Sequence, residues 1–326
     1  MPVVSHPPIL AVASLKVTFK SRRHGPLAAI RDLNLHLAQG EVLGLVGESG
    51  SGKSVACLAV MRLLPPDAAI SGRVLLEGTD LLRLSEADME RIRGARLAMI
   101  FQDPMSALNP VHTIGWQIME ALRLHRRLTG AAARRQALAL LHHVGISAPE
   151  HRIRDYPHQL SGGLCQRVMI AMALAAQPAV LIADEPTTAL DVTIQAQILS
   201  LIKRLAAEAG TSVILITHDL GVVAENCDRM AVMYGGRVVE SGTVEAIFQD
   251  PQHPYTRGLL ASLPSIETVH ARLSPISGSV PPLPDLPAGC PFCTRCGLAI
   301  DACRTLPPPL RTLPVGGRSL ACHVVG

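Results

Sequence analysis

Aromatic residues make up only 2% of the 326-residue chain: one Trp, three Tyr and four Phe. Stacking nucleobases on aromatic platforms therefore has little to work with. A large excess of one sign of charge is also lacking, and a formal net charge of +4 is too mild to argue for nucleic acid. The densest basic stretch, RLHRRLTGAAARRQ over 123–136, reads first as a solvated helix face and only second as a phosphate or headgroup patch. Long apolar runs are missing as well. The longest uncharged one, VMIAMALAAQPAVLIA (168–183), has 16 residues and is interrupted by Gln177 and Pro178. It falls short of a membrane span and reads as a buried helix, a turn and a buried strand. The opening MPVVSHPPILAVASLK lacks the early positive charge of a secretory signal and is broken by prolines. The expectation is a soluble chain whose membrane role, if it has one, comes through a partner. No internal repeat is visible.

What is present is an ordinary globular composition, 48% apolar and 17% charged, with room for one large domain and a smaller one. ILAVASLKVTF and GPLAAIRDLNLHLAQG read as strands with polar turns, and EVLGLVG as the first central strand. KSVACLAVMRLL reads as the helix behind it, stopped by Pro65-Pro66, and GRVLLEGTDL as a further strand and turn. From about 105 to 176 apolar residues fall at helical spacing, as in IGWQIMEALRLHRRL and RRQALALLHHVG. Strands return with AVLIADEP (179–186) and SVILITHD (212–219), separated by the helical pattern TIQAQILSLIKRLAAEAG. Buried strands alternating with amphipathic helices imply a parallel α/β sheet into which the helical stretch is inserted. Past Pro251 the composition shifts: residues 251–326 hold 13 of the 25 prolines and five of the eight cysteines. That end reads as a tail with its own character and not as more of the sheet.

GESGSGKS (47–54) stands between the strand EVLGLV and the helix VACLAVMRLL and fits the P-loop consensus at every fixed position. Its glycines let Gly47, Glu48, Ser49, Gly50, Ser51 and Gly52 curl with N–H groups pointed at an anion, and the following helix adds its positive end. Lys53 would reach the β- and γ-phosphates, and the Ser54 hydroxyl would take a place on Mg²⁺. A plain Gly/Ser turn between strand and helix is the bland alternative. The second phosphate element is AVLIADEP, an apolar strand ending in two carboxylates. Asp184 would hold Mg²⁺ through its water shell, and Glu185 suits polarisation of the attacking water.

With LSGGLCQR (160–167) added, the order P-loop, FQDP, LSGG, strand-Asp-Glu, TTALD and ITHD resembles the motif set of ABC-type ATPases over roughly residues 10–250. The resemblance implies an α/β P-loop fold with a mixed sheet core, an antiparallel β subdomain, an inserted helical subdomain over about 105–176, and a Cys/Pro-rich extension over 251–326. It implies that Gln102 links Mg²⁺ and the γ-phosphate to the helical insertion. Ser161, Gly162 and Gly163, with Gln166 retained behind them, would present N–H groups to a nucleotide held by a different chain. Position 164 is Leu where the family most often has Gln. Asp191 would bridge two subunits, and His218 would contact the γ-phosphate and orient Glu185. Phe19 would stack on adenine or else sit as a core strand residue. The physical logic agrees: two helix-start anion sites in one compact fold cannot serve one phosphate, so ATP would join two ATPase chains and hydrolysis release them.

FQDPMSALNP (101–110), QHPYTRGLL (252–260) and the cysteine-bearing end look like the ATPase subunits of oligopeptide/dipeptide importers, a branch that includes carriers of nickel chelates. That likeness implies two membrane-spanning permease subunits, a second ATPase subunit, identical or different, an extracytoplasmic solute-binding protein, and a peripheral place on the cytoplasmic face of the inner membrane. The alternative is a soluble ABC ATPase acting on nucleic acid or the ribosome. The single cassette, without coiled coil or basic linker, argues against it, so no nucleic-acid partner is expected. Cys290, Cys293, Cys296, Cys303 and Cys322 leave three options: a disulfide framework, zinc with His323 as a further ligand, or a [4Fe–4S] cluster. Reduced, unligated thiols are the bland fourth. The branch pattern matches Cys290, Cys296, Cys303 and Cys322, resembling a four-thiolate site, while Cys293 departs from it. Cys57, Cys165 and Cys227 read as small apolar core residues.

Overall fold

The structure is a computed structural model and describes residues 7–187, 191–262, 276–314 and 317–325. The chain opens with β1 (Leu10–Ser21), β2 (Gly25–Leu37), β3 (Val42–Val46), α1 (Lys53–Val60), β4 (Ala69–Leu76) and β5 (Thr79–Asp80). Next come α2 (Glu86–Ile92), β6 (Leu97–Ile100), α3 (Pro104–Ala107), α4 (Ile114–Arg126), α5 (Gly130–His143), α6 (Pro149–Arg152) and α7 (Gly162–Leu174). Then follow β7 (Val180–Asp184), α8 (Val192–Ala209), β8 (Ser212–Thr217), α9 (Leu220–Asn226), β9 (Arg229–Tyr234) and β10 (Arg237–Thr243). The last elements are α10 (Val244–Gln249), α11 (Pro254–Ala261), α12 (Asp301–Thr305), β11 (Arg311–Thr312) and β12 (Ser319–Leu320). Among the described residues no helix is long and apolar enough to cross a membrane.

The chain divides into two compact units. One holds residues 83–216 with two short N-terminal pieces. Its β6, β7 and β8 pair in parallel, with Leu97 opposite Val180 and Val180 opposite Ser212. All five residues of β7 are buried, as a strand covered on both faces requires. The helical stretch supplies α3 to α7, and the basic run at 123–136 is mostly exposed, as a solvated face should be. Gln177 turns the chain from α7 into β7 at φ +56.

The other unit holds residues 10–36, 41–82 and 217–326. It contains a four-stranded sheet in the order β2-β1-β4-β5, in which β1–β4 and β4–β5 are antiparallel. It also contains β3, which pairs in parallel with β9, while β9 pairs antiparallel with β10. Two expectations fail here. Helix α1 ends at Val60, before the prolines, because Arg62 takes φ +53 and Leu63 N–H donates to the Leu58 carbonyl at 2.8 Å while Arg62 N–H donates to Ala59. That pairing is a Schellman closure made without glycine. The tail, in turn, does add to the sheet: β12 pairs antiparallel with β10, Glu240 opposite Leu320, and β11 pairs with β12. Cys290, Phe292 and Cys303 share one hydrophobic cluster with Val46, Tyr234 and Tyr255, so these three tail residues are buried with the strand that precedes the phosphate loop.

Candidate functional site

Strand β3 delivers the chain into the loop 47–52, and the loop delivers it into α1. Gly47 lies at φ +153, and a Cβ there would come within 2.3 Å of the Met233 carbonyl oxygen, so only glycine fits. At the start of α1, Gly52 offers no side-chain cap and the first turn carries no acid, so no side-chain oxygen there competes with an anion for the positive end of the helix. Ser51 is fully buried, and its Oγ has no hydrogen-bond partner among the described residues. A buried orphan hydroxyl, a helix start without cap or acid and a buried lysine make a cradle that fits phosphate. Lys53 is 6% exposed and its Nζ donates to the carbonyls of Gly47 at 2.7 Å and Glu48 at 3.1 Å. Ser49 and Gly50 sit at the loop's tip, and Ser54 opens the first helical turn behind Lys53.

In the other unit the ends of two adjacent parallel strands carry Gln102, Asp184 and Glu185. Asp184 closes β7 and is buried. Glu185 follows at φ +43, a left-handed conformation that costs a non-glycine residue about 1–3 kcal/mol. Its N–H donates to the Ile216 carbonyl at 3.0 Å, and its carboxylate accepts from Gln102 Nε2 at 3.2 Å. The amide oxygen of Gln102 and the carboxylate of Asp184 in this unit, and separately the Ser54 hydroxyl in the other, are each the kind of hard donor Mg²⁺ takes.

The signature residues lie in the same unit as Glu185. Ser161 stands as the N-cap of α7 with extended φ −71 and ψ 159, yet makes no side-chain cap, and the first turn again lacks an acid. A Cβ on Gly162 would meet open space, and one on Gly163 would meet only Ile194 Cγ2 at 3.7 Å. These glycines keep the helix start bare rather than serving a tight turn. Gln166 is 2% exposed, with Nε2 lacking a partner among the described residues. Asp191 caps α8 by accepting from Ile194 N–H at 3.0 Å. Thr188, Ala189 and Leu190 of the same motif lie outside the described residues. His218 is exposed at the end of β8, next to Asp219, whose side chain caps α9. Phe19 is half-buried on β1. By unit, 47–54, Phe19 and His218 belong together, and Gln102, 161–166, Asp184, Glu185 and Asp191 belong together.

Sequence reasoning missed two residues of the C-terminal region. Tyr255 Oη accepts from Glu48 N–H at 2.8 Å, and Arg295 forks onto the Glu48 carboxylate at 2.6 and 3.2 Å. Burial drives the Tyr255 hydroxyl well above the usual phenol range. Burial opposes charge on Arg295, but its bonds to Glu48 and Tyr234 outweigh that and raise its pKa. His253, 1% exposed, caps α11 by accepting at Nδ1 from Tyr255 N–H, and burial lowers its pKa to about 4.

The metal expected on the tail cysteines finds no ligand set. Among the described residues no group of three or more His, Cys, Asp or Glu is placed to hold a metal ion. All eight cysteines are free thiols. Burial, with Cys303, Cys293 and Cys296 nearby, pushes Cys290 up to about 12 and raises Cys293 and Cys296 as well. Cys322 Sγ accepts from Val324 N–H at 3.4 Å, and His323 Nε2 donates to the Leu306 carbonyl at 2.9 Å. Cys57 and Cys165 are buried and Cys227 is half-buried.

Comparison with known proteins agrees with the motif order. The ABC transporter family matches residues 30–188, and the oligopeptide/dipeptide transporter C-terminal region matches 239–303. The chain is 51% identical over 302 residues to the dipeptide transport ATP-binding protein DppD of Bacillus subtilis (strain 168), covering 92% of this chain and 90% of that one. It is 52% identical over 305 residues to the oligopeptide transport ATP-binding protein OppD of the same organism, covering 93% and 85%. Among solved structures, a dimeric ATP-binding cassette in a post-hydrolysis state with ADP and Pi aligns with a TM-score of 0.65 at 30% identity, over 72% of this chain and 98% of the other. The chain belongs to the ABC transporter family of ATP-binding proteins, and residues 239–303 carry the C-terminal region that marks its oligopeptide/dipeptide branch.

Proposed function

We propose that this chain is the ATP-hydrolysing subunit of an ABC importer for di- and oligopeptides or a related small solute. One observation carries the reading: 51% identity to a dipeptide transport ATP-binding protein runs through 92% of the chain. The 47–54 loop and the bare start of α1 bind the phosphates of ATP, with Lys53 offering its ammonium to the β- and γ-phosphates. Ser54, Gln102 and Asp184 would hold Mg²⁺, which supplies charge neutralisation at the phosphates. Glu185 takes the proton from the attacking water while Gln102 steadies its carboxylate and His218 orients it. Ser161, Gly162, Gly163 and Gln166 act on the nucleotide of a second ATPase chain, and Asp191 bridges the two. Binding closes the pair and hydrolysis reopens it.

The 1–250 segment works as the ATPase domain and 251–326 as its extension. The helical stretch 105–176, linked through Gln102, passes closure to two permease subunits at the cytoplasmic face of the inner membrane, with an extracytoplasmic binding protein delivering the cargo. Glu185→Gln tests the chemistry. It should retain ATP and the nucleotide-bound pair while turnover falls by about 10²-fold or more. Wild-type hydrolysis by that variant removes Glu185 from its role. Dipeptide uptake by the subunit reconstituted with permeases and binding protein tests the cargo class.

A further inference from the structure

The C-terminal region reaches the phosphate loop through one guanidinium. Arg295 lies between Cys293 and Cys296, with its side chain 6% exposed. Nη1 donates to Glu48 Oε2 at 2.6 Å and Nη2 to Oε1 at 3.2 Å, a two-bond fork on one carboxylate. The same head is held from behind by its own region. Nε donates to the Ser277 carbonyl at 2.9 Å, and Nη2 to the carbonyls of Ile276 and Gly278 at 3.3 and 3.0 Å. Nη1 also reaches Tyr234 Oη at 3.3 Å. The guanidinium lies 5.8 Å from the Tyr234 ring centre and 5.9 Å from that of Phe292.

Glu48 is pinned at two further atoms. Its N–H donates to Tyr255 Oη at 2.8 Å, and its carbonyl accepts from Lys53 Nζ at 3.1 Å. The residue that Arg295 grips is therefore one of the two whose carbonyls hold the lysine. Exposed ion pairs contribute little, but a forked pair on a buried arginine fixes orientation, and breaking it leaves a buried charge unmatched.

We propose that Arg295 is a positioning residue for nucleotide binding. By fixing Glu48 it sets the loop shape in which Lys53 and the loop amides meet the phosphates, so the affinity for ATP depends on the C-terminal region. The inference rests on the reading of 47–54 as the ATP phosphate site.

The test titrates the full chain with MgATP at equilibrium and, alongside, separates KM from kcat. Arg295→Ala and Glu48→Ala should each weaken ATP binding about tenfold, the order of one charge-assisted hydrogen bond, with KM moving more than kcat. The double variant should lose no more than the worse single one, because both changes cut one link. Arg295→Lys should recover part of the loss. Arg295 also holds three tail carbonyls, so its alanine variant can loosen the tail. Glu48→Gln leaves those bonds in place and should still weaken ATP several-fold. The proposal is overturned if the folded Glu48→Gln and Glu48→Ala proteins bind ATP as the wild type does, or if the double variant loses the product of the two single losses. Lys53→Ala separates the levels. Full affinity in that variant sinks the phosphate-site reading itself, whereas loss in Lys53→Ala alone sinks only the role of Arg295.

Discussion

Gln102 donates from Nε2 to a carboxylate oxygen of Glu185 at 3.2 Å, joining the ends of two neighbouring parallel strands. Glu185 holds a left-handed backbone at φ +43, so its carboxylate is aimed by tertiary contacts rather than by local preference. Gln102→Ala should lower the single-turnover hydrolysis rate about tenfold at saturating MgATP, and because Gln102 would also be a Mg²⁺ ligand it should weaken MgATP binding as well. Gln102→Glu should do worse, since a second carboxylate would face the first.

Gly47→Ala should be the most damaging single-methyl change in the loop. The added Cβ would stand 2.3 Å from a backbone oxygen of Met233, which cannot rotate away. Urea unfolding should show a loss of about 2 kcal/mol or more, and MgATP binding should vanish. Gly50→Ala, at φ +80 but with no atom within 4 Å of the new Cβ, should cost only about 1 kcal/mol.

His253 gives the second unit an acid-side weakness. Burial lowers its folded pKa to about 4 from an ordinary 6.5, so the unfolded chain binds the extra proton first as pH falls. The contribution is fully present above pH 6.5 and is lost progressively from 6.5 down to about 4, for a total of about 3 kcal/mol. Thermal unfolding of His253→Gln against wild type at pH 7, 5.5 and 4 checks this. The variant should be the less stable at pH 7, and the gap should close toward pH 4.

Cys290 should resist alkylation. With its thiol pushed up to about 12, about one molecule in 10⁴ carries the thiolate at pH 8. Iodoacetamide followed by peptide mass analysis should leave Cys290 unlabelled in the native protein and label all eight cysteines once it is unfolded. Rapid native labelling of Cys290 would contradict the burial assigned to it.

What could be read from the sequence was whatever is local in the chain. The run from β3 through 47–54 into α1 announces itself by an apolar strand, glycines and Lys53 within a few residues. The carboxylates of Asp184 and Glu185 likewise follow their strand directly. The end of α1 was misplaced because Arg62 closes the helix in a conformation usually given to glycine, so the visible prolines drew the boundary downstream. Arg295 left no signal at all, since its partner lies 247 positions away and the cysteines around it suggested metal chemistry instead. Strand β12 is two residues long, too short for alternation to register, and is recognisable only through the partner it pairs with.

That short strand has a practical consequence. Arg318, just before it, donates to the buried Glu240 carboxylate at 2.8 Å, and the same carboxylate caps the backbone of Gln252 and His253. A stop codon ahead of Arg318 would therefore strip a cation from beside a carboxylate that is 1% exposed and unzip the edge of β10. Shortened versions should retain every residue through Cys322, since Ala321 N–H also donates to the Val239 carbonyl at 2.8 Å and Ala321 and Cys322 are buried.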